Sequence, residues 1–483
     1  MSTKRLKMEL YRKLWSQRDE ILAECAKIPA QIGFPSELKG KIGLSPQMSG
    51  RPGELRKNVR EAVNRVSDET VLLKYLAEEL RTVVKEGYGD EYDAVLTNTC
   101  EAALWLAADI LFSPPMGKGD AYQACYIAPY ERHLHHQGSY GRPFPPKYKD
   151  IFADRGVTSG ELGFLGKRQS NLSTLIVPLE GAKYDCHGVK YYPTPLLTKV
   201  DAEASYKKIA EVAARHRASL TGITSLGYDT PGYGYGDKDA DGVPKLLRLL
   251  AKLGNEYDIP YLVDNAGGVP FIGTDLRQIG ADIIVYSTDK GIGAPIGGLV
   301  IGKEEIMVPF RRALGMHSAR NGSLAYGKGA YVTVDPGKFS LAGTIAALKT
   351  FREKPEIVTN AIDAMHQIVL EEMKELDPEI SQYLLVTKSY NYIGVEINYE
   401  NSWSADRIGF PIFSIEDMYA GTNLFLDAVE AAGIEAEGYD GNIPLSPGLG
   451  TLDENGQLID EYMRYCVRIL FKAMEVMARF WNR

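Results

Sequence analysis

The chain has 483 residues, 24% of them charged and 45% hydrophobic, with a formal net charge of −8. That length exceeds one ordinary core, so two or three domains are expected. The balance is that of a globular protein with no apolar run long enough to cross a bilayer. The acidic balance argues against a dedicated nucleic-acid binder. Five scattered cysteines (Cys25, Cys100, Cys125, Cys186, Cys466) without CxxC pairs argue for reduced thiols and against a zinc site. The charged start, Met1 to Arg18, has no signal-peptide stretch, and the cytoplasm is the expected compartment.

In chain order, residues 6–27 have apolar positions at helical spacing, and the Pro- and Gly-rich residues 28–53 read as an extended arm. Residues 1–60 hold 13 Lys and Arg against 6 Asp and Glu. Such a basic segment can be a footprint for RNA; a solvated helix followed by an arm on a partner subunit is the plainer expectation. Helices are expected over 54–66 and 69–86, then a strand at 94–97 and a helix over 102–111. Strand-like runs follow at 124–127, 174–177, 220–224, 260–263, 283–286 and 299–301, with helices such as 201–215 and 243–256 between them. Repeated β-then-α order predicts an α/β fold, a mainly parallel sheet flanked by helices. A helix over 340–351 leads to a smaller α+β C-terminal domain, with a helix at 361–376, an apolar stretch at 392–397 and a closing amphipathic helix at 459–480. The expected division is 1–75 (helix and arm), 76–345 (large domain) and 346–483 (small domain).

The chemistry concentrates at two strand ends. Tyr261-Leu262-Val263-Asp264-Asn265-Ala266 is an apolar strand ending in an acid, and Val285-Tyr286-Ser287-Thr288-Asp289-Lys290-Gly291 is a second ending in Ser-x-x-Lys. A pyridoxal phosphate (PLP) site needs both. A lysine amine forms the Schiff base, and an aspartate pairs with the protonated pyridine nitrogen so that the ring accepts electrons from the substrate Cα. Open α/β sheets bind ligands at these strand ends. Lys290 and Asp264 are therefore the expected catalytic pair.

Phosphate calls for donors at a helix N-terminus. Asn98-Thr99-Cys100 supplies them at a strand–helix junction, with Ser287 as a further donor. A flat partner for the ring is expected from the stretch Pro129 to His136, which carries three of the seven histidines. His133 is favoured and His136 is the alternative, and no acidic or Cys set at zinc spacing supports a metal site there. A substrate carboxylate or phosphate wants a bidentate arginine. Arg320 is the better candidate, and Arg51, in the Gly-rich arm, could reach an active site across a dimer interface.

With Pro295-Ile296-Gly297-Gly298 added, these motifs resemble fold-type I PLP enzymes of the aspartate aminotransferase superfamily. They are most similar to the branch holding the selenocysteine synthases and the phosphoseryl-tRNA:cysteine-tRNA synthases. The resemblance spans roughly residues 94–351, and its Asp/Lys core is more specific for the superfamily than for the branch. It implies Lys290 as the Schiff-base lysine, Asp264 as the ring partner and His133 as the stacker. It also implies Thr224-Ser225 as a loop beside the cofactor, hence Ser225 as a cofactor contact, with Arg320 near the substrate and Arg51 in a segment that binds substrate anions. The phosphoseryl-tRNA selenium transferases tend to have Asn where Asp264 stands, and the loop from Tyr228 to Asp237 has no counterpart in the family.

The expected function is a PLP-dependent lyase or transferase acting on a small amino acid through an external aldimine and a quinonoid, by elimination or replacement. The alternatives are aminotransfer, or a selenocysteine-synthase-like transfer on aminoacyl-tRNA. A homodimer or higher oligomer is implied by the resemblance alone.

Overall fold

The computed structural model describes residues 16–44, 53–113, 124–129, 172–177, 179–181, 183–185, 194–196, 200–230, 235–314, 334–391, 394–399, 401, 403–404, 407–408, 416–417, 422–436 and 442–482. The strands of the first part of the chain are β1 (Tyr92–Thr97), β2 (Ala124–Pro129), β3 (Leu172–Val177), β4 (Lys183–Asp185), β5 (Thr194–Leu196), β6 (Leu220–Leu226), β7 (Tyr261–Asp264), β8 (Ile283–Ser287) and β9 (Gly298–Lys303). Seven of them form one sheet in the order β1-β9-β8-β7-β6-β2-β3, while β4 and β5 make a separate ribbon. The pairs from β8 through β7, β6 and β2 to β3 are parallel. β9 runs antiparallel to both its neighbours, β8 and β1. Its direction follows from chain length. Only residues 288–297 separate β8 from β9, too few for the helical crossover that a parallel return needs.

β1, β2, β7 and β8 are buried along their whole length. They read as continuous apolar runs because helices cover both faces. One face packs against helices Leu73–Tyr88, Ala202–His216, Lys245–Tyr257 and Lys338–Glu353 through residues such as Leu80, Ile209, Leu250 and Leu348. The other packs against Cys100–Leu111 and Glu304–Ala313 through Leu104, Leu106, Met307 and Phe310.

A second core gathers the C-terminal helices Glu356–Glu372, Leu424–Ala431 and Asp460–Asn482 with a three-stranded antiparallel sheet of Leu385–Lys388, Val395–Asn398 and Asn442–Leu445. The N-terminal segment joins this core through Ile21, Cys25, Ile28, Phe34, Ile42 and Leu44, and Arg18 bonds Asp427 at 2.9 Å. Two expectations change here. The described part of the segment packs on its own chain's C-terminal core. The expected arm begins as a helix, Ile28–Ile32, then a 3-10 turn at Ser36–Leu38. Pro29 is tolerated in the first helical turn, and Gly33, with φ 67°, supplies the left-handed residue that ends it. Among the described residues no helix is long and apolar enough to cross a membrane.

Candidate active site

The site forms where β6, β7 and β8 end. Asp264 is the last residue of β7, in register with Leu226 on one side and Val285 on the other. It is fully buried, and its Oδ1 accepts the Ala266 N–H at 3.0 Å. A buried carboxylate keeps its charge only where donors or a cation face it. The chain after it turns back through Gly267 and Gly268, and this loop meets the Lys290 turn. A Cβ on Gly291 would lie 2.8 Å from Val269 Cγ2 and 3.0 Å from the Gly267 carbonyl, so only glycine lets the two loops touch. Lys290 is half-buried. Its turn is closed by the Gly293 N–H on the Lys290 carbonyl (2.9 Å) and the Ala294 N–H on Thr288 (2.8 Å). The expected catalytic pair is thus brought to one sheet edge.

The phosphate-cup candidate sits beside it across β9. Thr97 and Ser287 both face Gly298 in register, from β1 and β8. Thr99 caps the helix Cys100–Leu111, its Oγ1 accepting the Ala102 N–H at 3.0 Å. Its hydroxyl proton is left for a ligand. A Cβ on Gly298 would come within 2.4 Å of the Thr99 carbonyl and 2.6 Å of Ala103 Cβ, which is how the helix N-terminus reaches the sheet. The Asn98 N–H bonds the Val334 carbonyl at 2.8 Å. Cys100 senses both catalytic residues: burial and then the Asp264 charge push its thiol well above the ordinary range, and Lys290 pulls the other way.

One sequence expectation gives way to geometry. Side chains alternate across a strand, and Ser225 is on the face opposite Asp264, its hydroxyl 2.6 Å from the Tyr261 hydroxyl and 3.0 Å from the Leu226 carbonyl. Thr224 takes the Asp264 face instead, and its fully buried Oγ1 has no partner among the described residues. Ser287 donates to Asp289 Oδ1 at 2.6 Å, and Asp289 Oδ2 has no partner among the described residues. His133, His136, Arg320 and Arg51 lie outside the described residues.

Sequence reasoning missed the contribution of the C-terminal unit. Asn265 Nδ2 donates to Asn391 Oδ1 at 3.1 Å, Asn391 donates to the Gly227 carbonyl, and the Asn391 N–H reaches Ser389 Oγ at 2.9 Å. Ser389 in turn donates to Asp229, which Lys238 also holds at 2.5 Å. These bonds tie the ends of β6 and β7 to residues 126 to 164 positions later. No local signal marks them. Ser389 and Tyr390 also line, with Lys290, Gly267, Arg56 and Ser446, a cavity of about 60 Å³. A larger cleft, about 770 Å³, shares Arg56 but not Lys290; the chemistry belongs to the smaller cavity.

A buried acid, a lysine on the adjoining strand end, a capped helix N-terminus seated on glycine and an unpartnered hydroxyl fit PLP. The family comparison decides it: residues 238–402, which hold both Asp264 and Lys290, match the aminotransferase class-V family. This segment resembles a class-V aminotransferase domain, a family of PLP-dependent enzymes, and the cofactor is PLP. A 5'-C-glycyluridine monooxygenase-decarboxylase from Streptomyces is 27% identical over 156 residues, 32% of each chain. The O-phospho-L-seryl-tRNA:Cys-tRNA synthase of Methanosarcina mazei is 33% identical over 82 residues, 17% of this chain and 21% of that one. The matches therefore span about a third of these relatives or less. The fold is that of the fold-type I PLP enzymes. A SepCysS in complex with the SepCysE N-terminal domain superposes with a TM-score of 0.54 at 16% identity, covering 92% of this chain and 97% of that one. Serine palmitoyltransferase from S. paucimobilis, carrying PLP and myriocin, gives 0.52 at 12% identity over 91% and 89%.

Proposed function

We propose that this chain catalyses elimination or replacement at Cβ of a small amino acid at the Lys290 site. The observation that carries the reading is the fully buried Asp264, at the end of β7 and joined to the Lys290 turn through the contact of Gly291 with Gly267 and Val269. PLP supplies an aldehyde for the substrate amine and a ring that withdraws charge from Cα. The protein residues do the rest. Asp264 would pair with the ring nitrogen and hold its proton, so that charge leaving Cα would find a positive sink. Thr224 offers a hydroxyl on the same face. Thr99, Cys100 and the N–H groups of their helix would hold the phosphate. Lys290 would anchor the cofactor and, as a free amine, could take the proton from the substrate Cα and give it to the departing group at Cβ.

The small cavity favours a small free amino acid as substrate. The likeness to the O-phospho-L-seryl-tRNA:Cys-tRNA synthase and the basic residues 1–60 favour a second reading, transfer on an aminoacyl-tRNA. A homodimer completing the site from Arg51 is part of the proposal in either case.

The test is the visible absorption spectrum of the purified, PLP-loaded protein, titrated with a panel of free amino acids and phosphoserine while released keto acid is measured. The expected result is a band that Lys290→Ala abolishes and that one small amino acid perturbs, with keto acid released without any added acceptor for elimination, or a new amino acid formed when a thiol nucleophile is supplied for replacement. A strict need for an acceptor keto acid would mean aminotransfer. A band that no free amino acid perturbs, but that an aminoacyl-tRNA does, would replace the first reading by the second.

A further inference from the structure

The sheet side of the phosphate-cup candidate presents hydroxyls whose protons are directed to protein acceptors. Side chains alternate along a strand. Thr97, Asp264 and Ser287, each two residues past Val95, Leu262 and Val285, therefore share the face that carries the helix Cys100–Leu111. Thr97 Oγ1 donates to the Thr99 carbonyl at 2.7 Å, and Ser287 Oγ donates to Asp289 Oδ1 at 2.6 Å. A hydroxyl has one proton and two lone pairs, so in this arrangement both still accept a hydrogen bond. The donors of the cup are the first N–H groups of the helix and the Thr99 hydroxyl.

Asp289 adds a charge behind the sheet side. It is only 5% exposed, and its Oδ2 has no partner among the described residues. It belongs to the same site as the helix N-terminus, because the charges acting on the Cys100 thiol are those of Asp264, Lys290, Glu101 and Asp289. Three of these four groups are acids. A buried anion whose surroundings are mostly anionic draws protons toward it.

We propose that Asp289, acting through the Ser287 hydroxyl, makes this cup select a phosphate that still carries one proton. The P–OH of such a monoanion donates to Ser287 Oγ, whose own proton is held by Asp289. The other phosphate oxygens accept from the helix N–H groups and from Thr99. A dianion brings no proton and sets its charge against the Ser287 lone pairs and the carboxylate behind them. Asp289 is thus a positioning residue that orients Ser287. The inference rests on the reading of the Cys100 helix N-terminus as the cofactor phosphate site.

The consequence is a pH dependence. A free phosphate monoester loses its second proton near pH 6 (about 6). Selecting the monoanion raises that pKa in the bound state, so binding is strongest below about pH 6 and falls about tenfold per pH unit above it. Cys100, Glu101, Asp264 and Lys290 titrate in the same site, and they act equally on pyridoxal, which has no phosphate.

The experiment titrates the cofactor-free full chain with PLP and, separately, with pyridoxal between pH 6.5 and pH 8, followed by visible absorption. Phosphorus-31 NMR of the PLP-loaded protein is recorded over the same range. Wild type, Asp289→Asn and Ser287→Ala are compared. In wild type the ratio of PLP affinity to pyridoxal affinity should fall about 30-fold across this range, and the bound resonance should hold the monoanion position. Asp289→Asn keeps an oxygen for Ser287 and removes the charge. Its ratio should stay within about threefold, with the resonance at the dianion position, and Ser287→Ala should follow it. A wild-type resonance at the dianion position throughout would overturn the inference. So would a slope in Asp289→Asn equal to that of wild type, which marks Asp289 as a structural partner of Ser287. If Asp289→Asn does not fold, the wild-type resonance and Ser287→Ala decide between the same outcomes. PLP that binds no tighter than pyridoxal at any pH would sink the phosphate-site reading, and the inference with it. PLP that binds far tighter than pyridoxal at every pH, with no slope, would leave that reading standing and overturn the role of Asp289 alone.

Discussion

The charged clusters at the two ends of this molecule are built on opposite rules. In the C-terminal unit Glu372 is buried against the closing helix and is matched by two arginines of that helix. Arg468 donates to Glu372 through Nε and Nη2 at 2.8 and 2.9 Å, Arg464 donates to it at 3.1 Å, and Arg464 also takes Glu371 at 2.6 Å. At the edge of the large sheet, Asp289 Oδ2, Thr224 Oγ1 and Arg56 Nε are buried without partners among the described residues. A buried polar group left unmatched costs about 1–3 kcal/mol. The first cluster is internally neutralised and serves stability. The second is incomplete until something binds, which is the signature of a site whose polar groups are held for a ligand.

The comparison can be broken most decisively at Asp264. Asp264→Ala removes the buried carboxylate and orphans the Ala266 N–H. Turnover should fall by about 100- to 1000-fold, measured as keto-acid release at saturating substrate, with the fold preserved by far-UV circular dichroism. A fall of less than threefold would remove Asp264 from the chemistry. Next comes Asn391→Ala, which cuts the bonds to Asn265 and Gly227. Urea unfolding should show a loss of about 1–3 kcal/mol, and PLP should dissociate more readily because the loop behind Asp264 is released. Unchanged PLP affinity would separate the C-terminal unit from the site.

Glu372→Gln sharpens the contrast from the other side. Leaving two arginines without their buried acid should cost about 1–2 kcal/mol of stability, a range discounted because Arg464 and Arg468 are partly exposed. The visible spectrum should not move. A spectral change would mean that the two regions are coupled more closely than their bonding shows.

The smallest effect is expected at Asp335, next to Val334, whose carbonyl takes the Asn98 N–H. Both its carboxylate oxygens lack partners among the described residues, and burial raises its pKa to about 6. A carboxyl with a raised folded-state pKa binds a proton more tightly when folded, so its charge penalises the fold above pH 6. That penalty fades as pH falls through 6 toward the ordinary carboxylate range. Asp335→Asn should therefore stabilise the protein by on the order of 1 kcal/mol at pH 7.5, after solvent screening is allowed for. The gain should shrink steadily in melts taken between pH 6 and pH 4. A gain independent of pH would mean that the carboxyl titrates alike in the folded and unfolded chain.

The placing of Asp264 and Lys290 at neighbouring strand ends was legible because two local patterns coincide with a general rule. Apolar runs ending in Asp264 and just before Lys290 are strands buried on both faces, and ligands of such sheets sit at strand C-termini. Thr99, expected only as a phosphate donor, is also the helix cap, because a hydroxyl residue before an apolar helix is the commonest way to satisfy its first N–H groups. The side on which Ser225 lies was not legible for a different reason. On a strand buried on both faces neither side chain parity nor hydrogen-bond partner can be told from polarity, and the register with β7 is what turns Thr224 toward Asp264 and Ser225 toward Tyr261.

Sequence by itself determined the sheet strands, most of the helices around them and the place of Asp264 and Lys290 at strand ends. Each of these rests on periodicity, capping or chain length, which act over a few residues. Only the tertiary structure decided that the N-terminal segment from Arg18 to Leu44 belongs to the C-terminal core, that Ser389 and Asn391 brace the loop after Asp264, and that Arg56 lines the Lys290 cavity. Those contacts join residues far apart in the chain. Packing and desolvation choose such partners, and neither leaves a mark on the residues adjacent in sequence.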